Sequence, residues 1–293
     1  MDEQFDVVSL EQRLRRHVAT LAATPRPPGS VAHRRAQEYI QDHLSRAGFT
    51  VETDSCHYPA SPPGLNVLTV PLPDRADLPL VIVGAHYDSL PQTPGADDNA
   101  SAVAALLELA AWLGSRLIGV DGWSARVQLA AYDQEETGLL GSRHHSGRVR
   151  GPVRAMLSLE MLGYTDCRPG GQRLPPQLAG LYPDVGDFIG VVGNQASRVL
   201  TESVAQALRQ VDGLPVQPLV VPGNGEVLPD SRRSDHASFW DRRLPALMLT
   251  VTSFLRNPHY HAATDTPDTL DYSFLTRVTA GVCLAVERLL HTD

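Results

Sequence analysis

Four side chains that can bind a cation stand close together in the stretch AHYDSLPQTPGADDNAS, which covers residues 85–101. They are one imidazole, His86, and three carboxylates, Asp88, Asp97 and Asp98. The stretch follows an apolar run, so these groups are expected at the border of a hydrophobic core. Burying three acids and an imidazole is costly unless a positive charge holds them together. The stretch therefore predicts a bound cation.

Three other segments carry residues of the same kind. The segment DQEETG holds Glu135 and Glu136, the run VRAMLSLEML holds Glu160, and the segment NPHYH ends with Tyr260 and His261. Imidazole nitrogens and carboxylate oxygens are ligands that suit zinc, and cobalt or manganese could use the same set. The carboxylates outnumber what one ion needs. This favours two zinc ions about 3.5–4 Å apart, with a single ion as the alternative.

These residues follow segments that have the pattern of buried strands. We expect strands at 78–86, 125–133, 153–162 and 244–253, and helices at 101–117, 138–146, 197–211 and 273–291. The N-terminal part adds helices at 9–22 and 31–47, the second capped by Ser30, and a strand at 49–58. Ligands of α/β sheets bind at the carboxyl ends of the strands. All the candidate residues are therefore expected at one edge of the sheet.

The alternation of apolar strands and helices is typical of a mainly parallel sheet covered on both faces. We predict a single-domain, three-layer α/β/α fold with a mixed, mainly parallel central sheet, spanning residues 1–293. Two stretches rich in Pro and Gly or polar residues, 166–187 and 212–233, are expected as long loops of this domain rather than linkers, since periodic elements resume after each. The hypothesis is that both loops shape the substrate end of the site.

The bulk composition argues against several classes of partner. The chain has 293 residues, of which 42% are hydrophobic and 20% charged, as in ordinary soluble globular proteins. A formal net charge of −8 argues against nucleic acid or an anionic membrane as a partner. No apolar stretch approaches the ~20 residues that cross a bilayer, and no signal-peptide pattern is seen. The three cysteines are too scattered for a disulfide framework. A cytoplasmic location is expected.

Four motif blocks carry a resemblance to a known family. HYD…GADDNAS, DQEETGLLGS, LSLEMLGY and HYHAATDTPDTLD resemble the blocks of the di-zinc aminopeptidase family, in the same order. The twelve-residue step from His86 to Asp98 matches as well. The resemblance covers about residues 10–290 and is specific when the blocks are taken together. The same family contains glutaminyl cyclases, glutamate carboxypeptidases and the transferrin receptor ectodomain.

The resemblance implies how the ions are held. His86 and Glu160 are expected to bind one zinc, and Glu136 and His261 are expected to bind the other. Asp98 is expected to bridge both ions. Many aminopeptidases of this kind have aspartate where this chain has Glu160, but the longer arm of a glutamate still reaches a zinc.

Three further residues are expected to act around the ions. Asp88 would hydrogen-bond the far nitrogen of His86 and fix its tautomer. Glu135, which stands beside a ligand, is expected as the general base that takes a proton from the attacking water and returns it to the leaving amine. Tyr260 resembles a tyrosine that helps to hold the carbonyl oxygen in some members. An ordinary loop tyrosine, packed through its ring, is the alternative.

Three other histidines receive structural interpretations. His236, in SDHASFW, is expected to begin a helix capped by Ser234 or Asp235, with a ligand role as the alternative. His144 and His145 follow GLLGSR on a predicted helix, and we expect both at the surface.

The leading functional prediction is a zinc-dependent aminopeptidase, whose partner is a peptide with a free N-terminus. A glutaminyl-peptide cyclotransferase with one zinc is the first alternative, and it would need a closed pocket lined by aromatic side chains. Of the three tryptophans, only Trp240 lies near a site loop. A binding or scaffold protein on an inactive peptidase fold is the second alternative. Such proteins lose ligands or the base, whereas every key position here carries a competent residue.

Overall fold

The chain folds into one eight-stranded sheet with helices on both faces. The computed structural model describes residues 6–58, 61–116 and 122–291. The strands are β1 Val51–Cys56, β2 Gly64–Thr69, β3 Leu80–His86, β4 Arg126–Tyr132, β5 Val153–Glu160, β6 Ile189–Asn194, β7 Val216–Val221 and β8 Ala246–Thr250. The helices are α1 Val7–Leu21, α2 Val31–Arg46, α3 Ala102–Gly114, α4 Leu140–Arg148, α5 Arg198–Leu208, α6 His236–Trp240 and α7 Tyr272–His291. Within the described residues, none of these helices is long and apolar enough to cross a lipid bilayer.

The strands at the centre of the sheet run in one direction. The strand order is β1-β2-β4-β3-β5-β8-β6-β7. Strands β4, β3, β5 and β8 are parallel neighbours. On one side of them β2 is antiparallel to β4, and β1 is antiparallel to β2. On the other side β6 is antiparallel to β8 and parallel to β7. The predicted mixed, mainly parallel sheet is confirmed.

Each face of the sheet buries a separate apolar cluster. The larger cluster joins the sheet to α1, α2, α3, α5 and α7, with Leu14, Leu106 and Val278 among its fully buried members. The smaller cluster lies on the opposite face, where α4 and α6 pack. Strand β3, LVIVGAH, is buried at every position because it has helices on both sides. The three-layer α/β/α arrangement follows from this double burial.

The predicted elements differ from the observed ones mainly at three short strands. The Ser30 hydroxyl caps α2 as predicted, accepting a hydrogen bond from the His33 amide at 3.0 Å. The predicted helix at 101–117 is α3, and its last predicted residue lies outside the described residues. Strands β2, β6 and β7 were not predicted. Strand β7 lies inside the stretch expected as a loop at 212–233, so that prediction is wrong for 216–221. Its Pro218 is tolerated because β7 is an edge strand.

Candidate metal centre

The carboxyl ends of the parallel strands bring the predicted ligands together. His86 is the last residue of β3, and Glu160 is the last residue of β5. Glu135 and Glu136 follow β4, Asp98 lies in the loop between β3 and α3, and His261 lies in the segment between β8 and α7. Five segments that are distant in sequence therefore meet at one edge of the sheet, as the strand pattern predicts.

Asp98 lies between the two histidines and faces each of them with a different oxygen. Its Oδ1 is 3.3 Å from His86 Nε2, and its Oδ2 is 3.3 Å from His261 Nε2. Asp98 is only 2% exposed, so both oxygens face protein groups rather than solvent. A carboxylate in this position can contact two ions at once.

The candidate ligand atoms form two groups. One group contains His86, Glu135 and Glu160, and the other contains Asp98, Glu136 and His261; in each, the ligand atoms lie within 4.8 Å of one another. His86 Nε2 is 3.6 Å from Glu160 Oε2, and His261 Nε2 is 3.1 Å from Glu136 Oε2. The residues expected to bind each ion thus lie together. Glu135, the expected base, is itself a member of the first group, and Asp98, the expected bridge, is a member of the second.

The donor atoms of the two groups fit divalent cations. Both ring nitrogens of His86 are buried without a hydrogen-bond partner, and so is Oε1 of Glu136. Buried polar atoms are ordinarily paired, and unpaired ones call for an explanation. Imidazole nitrogens and carboxylate oxygens are ligands that zinc uses. A metal ion in each group would pair these atoms and compensate the negative charge.

Carboxylates surround both histidines of the site and favour the protonated form of each ring. Burial lowers the pKa of His261, but Asp98 and Glu136 outweigh it and raise the value to about 9. Burial raises the pKa of Glu136 to about 7, with the charge of Asp98 adding to the shift. Burial also raises the pKa of Glu135 well above its usual range, and the charges of Glu160 and Asp235 push it the same way. Metal ions and protons therefore compete for the same atoms.

Asp88 holds the backbone that carries the two glutamates. Its Oδ1 accepts a hydrogen bond from the Glu135 amide at 3.1 Å, and its Oδ2 accepts one from the Glu136 amide at 3.3 Å. The predicted contact with His86 is long, since Asp88 Oδ1 lies 3.5 Å from the ring Nδ1. Asp88 therefore contacts both sides of the site, chiefly through the amides of the β4 loop.

Neither residue expected to cap the helix at His236 does so with its side chain. The Ser234 hydroxyl donates to Glu160 Oε2 at 2.8 Å, and both carboxylate oxygens of Asp235 are buried without a partner. His236 itself is the first residue of α6, where its Nε2 lies 2.8 Å from the Ser231 carbonyl and its ring packs against Trp240. The structure thus places His236 in a helix and outside the ligand groups.

Tyr260 lies against the metal ligand that follows it. Its ring stacks on the ring of His261 with centroids 3.7 Å apart, and its hydroxyl accepts a hydrogen bond from Arg233 Nη2 at 3.3 Å. Arg233 was not singled out from the sequence, because no local pattern distinguishes it from the neighbouring Arg232. Tyr260 thus contacts its surroundings both through its ring and through its hydroxyl.

A mainly apolar cavity of about 100 Å³ adjoins the site. It shares Arg233 with the Tyr260 contact, and Thr250 on its wall pairs with Glu160 in the sheet register. Its apolar lining includes residues from both predicted loop stretches and from β8, namely Leu174, Leu178, Leu219, Leu228 and Met248, together with Phe188 just before β6. This position supports the hypothesis that the two stretches shape the substrate end of the site.

Known proteins resemble the chain over most of its length. The sequence profile of peptidase family M28 matches residues 66–286. An uncharacterized protein of Escherichia coli, YfbL, is 40% identical over 262 residues, which are 85% of this chain and 78% of that protein. A probable leucine aminopeptidase of Arthroderma benhamiae is 31% identical over 212 residues, which are 67% of this chain. The match spans 50% of the length of that relative.

Solved structures share the fold at low sequence identity. The LapA aminopeptidase of Legionella pneumophila has a TM-score of 0.71 at 20% identity, covering 98% of this chain and 74% of its own. A glutaminyl cyclase of Porphyromonas gingivalis scores 0.72 at 19% identity, covering 97% and 99%. A Zn-dependent exopeptidase of Parabacteroides distasonis scores 0.69 at 18% identity, covering 96% and 98%. This likeness concerns the fold alone, which peptidases and cyclases have in common.

Proposed function

The chain belongs to peptidase family M28, and from that premise we propose that it is a zinc-dependent aminopeptidase that removes N-terminal residues from peptides. The observation that carries the proposal is the position of Asp98, whose two oxygens face two different histidines. A carboxylate so placed belongs to one ligand group and also faces a histidine of the other, which supports a pair of metal ions rather than one. Zinc is the proposed metal because of its ligand preference and the zinc-dependent exopeptidase of the same fold.

The metal pair and Glu135 divide the chemistry between them. Two zinc ions, when bound, supply positive charge that lowers the pKa of water and polarises a carbonyl group. Glu135 is partly buried beside His86 and Glu160. Its backbone is fixed by Asp88 through the amide hydrogen bond of 3.1 Å. We assign to Glu135 the transfer of a proton from the attacking water to the leaving amine.

The carboxylates of the site also support a preference for free N-termini. Asp98, Glu135, Glu136 and Glu160 lie in one site and are met there by two histidines. A protonated α-amino group is a cation, and it can pair with a carboxylate of this site. The adjoining apolar cavity is placed to receive the side chain of the first residue. We therefore expect an apolar first residue to be preferred.

Glu135→Gln tests the proposal. The substitution keeps the shape of the side chain but removes its ability to accept a proton, so turnover should fall by at least about 100-fold while the metal content stays unchanged. The measurement is hydrolysis of aminoacyl-anilides with free and blocked N-termini, together with metal content per chain. Glu202→Gln, on the exposed side of α5, is the matched control and should retain both. Full activity of Glu135→Gln would exclude the glutamate as the base.

Glutaminyl cyclisation is the second candidate, because the cyclase of Porphyromonas gingivalis shares the fold over nearly its full length. The cavity argues against it. Its aromatic lining residues are Tyr182, Phe188 and Phe254, with no tryptophan among the described lining residues. Trp240 is buried in the core, where its indole N–H donates to the Ala246 carbonyl. One bound metal, no hydrolysis and cyclisation of N-terminal glutamine would establish the cyclase instead.

Other predictions about the surroundings stay predictions. A cytoplasmic location and the absence of nucleic-acid and membrane partners rest on composition and on the net charge of −8. An inactive scaffold stays the third reading, and metal-free protein with no activity on any substrate of the panel would support it.

A further inference from the structure

The carboxylate of Asp265 binds two consecutive backbone amides next to the metal centre. Its Oδ1 accepts a hydrogen bond from the Asp97 amide at 2.9 Å, and its Oδ2 accepts one from the Asp98 amide at 3.1 Å. Its backbone carbonyl also accepts from the Ala96 amide at 3.2 Å. Asp265 is fully buried, so water does not compete for these bonds. Hydrogen bonds from amides to an ionised carboxylate are among the stronger ones in proteins.

Asp265 belongs to the same segment as His261. On the other side of His261, the Asn257 side chain donates from Nδ2 to Asp97 Oδ2 at 2.9 Å. The segment that carries one histidine ligand is therefore tied to the loop of Asp98 both before and after that ligand. None of these bonds uses a ligand atom of the metal site.

The residue that follows Asp98 fixes a third ligand in the same way. Asn99 donates from Nδ2 to the Leu159 carbonyl at 3.0 Å, and its Oδ1 accepts from the Met161 amide at 2.9 Å. These two partners flank Glu160 in sequence. Asn99 thus holds the backbone of Glu160 while Asp265 holds the backbone of Asp98.

We propose that Asp265 is a positioning residue that fixes Asp98 relative to His261 before any metal binds. The inference rests on the metal site of the proposed function but not on its substrate. Ligands that are already in place lose little conformational freedom when an ion arrives, so the metal binds more tightly. Residues that orient ligands in this way typically contribute 10–100-fold to metal affinity.

Asp265→Asn tests the assignment, because an amide can offer only one acceptor oxygen to the two backbone N–H groups. The zinc affinity, measured by competition with a fluorescent chelator, should fall about 10–100-fold. With saturating zinc, kcat should return to within a few-fold of the wild type, since the residue acts through the ligands. Asp271→Asn is the matched control: Asp271 also accepts from a backbone amide, that of Phe274 at 2.9 Å, and should leave zinc affinity unchanged.

Wild-type zinc affinity in folded Asp265→Asn would overturn the assignment. If this variant does not fold, hydrogen exchange in the metal-free wild type decides. The Asp97 and Asp98 amides should exchange slowly, and rapid exchange of both would refute the proposed role of their hydrogen bonds to Asp265. Failure of the proposed function is a separate result: protein that binds zinc with Asp265-dependent affinity but cleaves no peptide keeps this inference and loses the aminopeptidase.

Discussion

At the scale of single residues, Tyr260 offers two different groups to the site. Its ring packs on His261, with an interplanar angle of 20°, and its ring also lies 5.9 Å from that of Phe254. Its hydroxyl accepts a hydrogen bond from the Arg233 guanidinium. The Cζ of Arg233 also lies 5.3 Å from the centroid of the Phe254 ring. Packing needs only the ring, whereas holding a substrate oxygen needs the hydroxyl. The two roles can therefore be separated by removing one atom.

Tyr260→Phe keeps the ring and deletes the hydroxyl. If the hydroxyl holds the developing oxyanion, kcat should fall about 10–100-fold at constant zinc content, toward the range found when such donors are removed. Arg233→Ala should have a similar effect, and the double variant should lose little more, because the arginine would act through the tyrosine. Tyr39→Phe is the control, because the Tyr39 hydroxyl lies 2.8 Å from His17 Nδ1, between α1 and α2. Unchanged kcat in Tyr260→Phe would leave the tyrosine a packing role.

At the scale of elements, a buried arginine joins the N-terminal helices to the metal loop. Arg26 lies between α1 and α2, is 1% exposed, and donates hydrogen bonds to four backbone carbonyls, those of Leu21, Tyr87, Pro94 and Gly95. The last three belong to the loop that connects His86 to Asp98. Gly95 in that loop has a φ of +65°, and a Cβ there would collide with the Asp98 carbonyl. The loop has its shape because of these two residues.

Arg26→Met removes the donors and leaves four carbonyls in an apolar environment. We expect the free energy of unfolding to fall by about 2–4 kcal/mol, since buried acceptors without partners are costly. Zinc affinity should fall as well, because the loop carries Asp98. Urea denaturation and chelator competition measure the two effects. Arg34→Met, an exposed position on α2, should change neither; equal stability of both variants would contradict this role of Arg26.

The sequence predicts the site where the signal is local and misses it where the contact is distant. Ligands such as His86 and Glu160 stand at the ends of apolar runs, so strand prediction alone brings them together. Asp265 and Arg26 act on the metal loop through hydrogen bonds to residues 61–168 positions away in the sequence. The periodicity of the sequence does not predict such pairs. Ser234 illustrates the same limit. The local sequence predicts that Ser234 could cap the helix at His236, whereas its hydroxyl donates to Glu160, 74 residues away.

At the scale of the whole molecule, stability is expected to depend on pH through two buried histidines on the α4 and α6 face. The prediction that His145 lies at the surface is wrong: it is 5% exposed, and its Nδ1 lies 3.0 Å from the Tyr132 hydroxyl. Helix α4, which carries His145, packs against β1, β2 and α6, and the rings of Tyr132 and Phe239 lie 5.7 and 6.0 Å from that of His145. Burial lowers the pKa of His145 to about 4, and that of His236 to about 4 as well.

Protonation of these two histidines should destabilise the fold in acid, whereas Glu136, whose pKa burial raises to about 7, takes up a proton more readily in the folded chain and acts in the opposite direction. An unfolded histidine has a pKa near 6.5, so from about pH 6.5 down to pH 4 the unfolded chain binds protons at these two positions that the folded chain excludes. Their contribution to stability is present above pH 6.5 and lost toward pH 4, by about 2–3 kcal/mol for each histidine. Urea denaturation in EDTA measures it. His145→Gln should reduce the pH dependence, whereas the exposed His57→Gln should not; identical curves for wild type and His145→Gln would refute the prediction.

The sheet divides its strands between two tasks. Strands β3, β4, β5 and β8 lead to the predicted metal ligands, whereas β6 and β7 carry none of these residues and place Gly190, Val192 and Leu219 along the apolar cavity. Mutations on β6 and β7 can change the size of the cavity while the ligand spacing stays as it is. Selection can then diversify what enters the site without rebuilding the reaction. The parallel pair β6–β7 is in this sense an exchangeable part of an otherwise fixed scaffold.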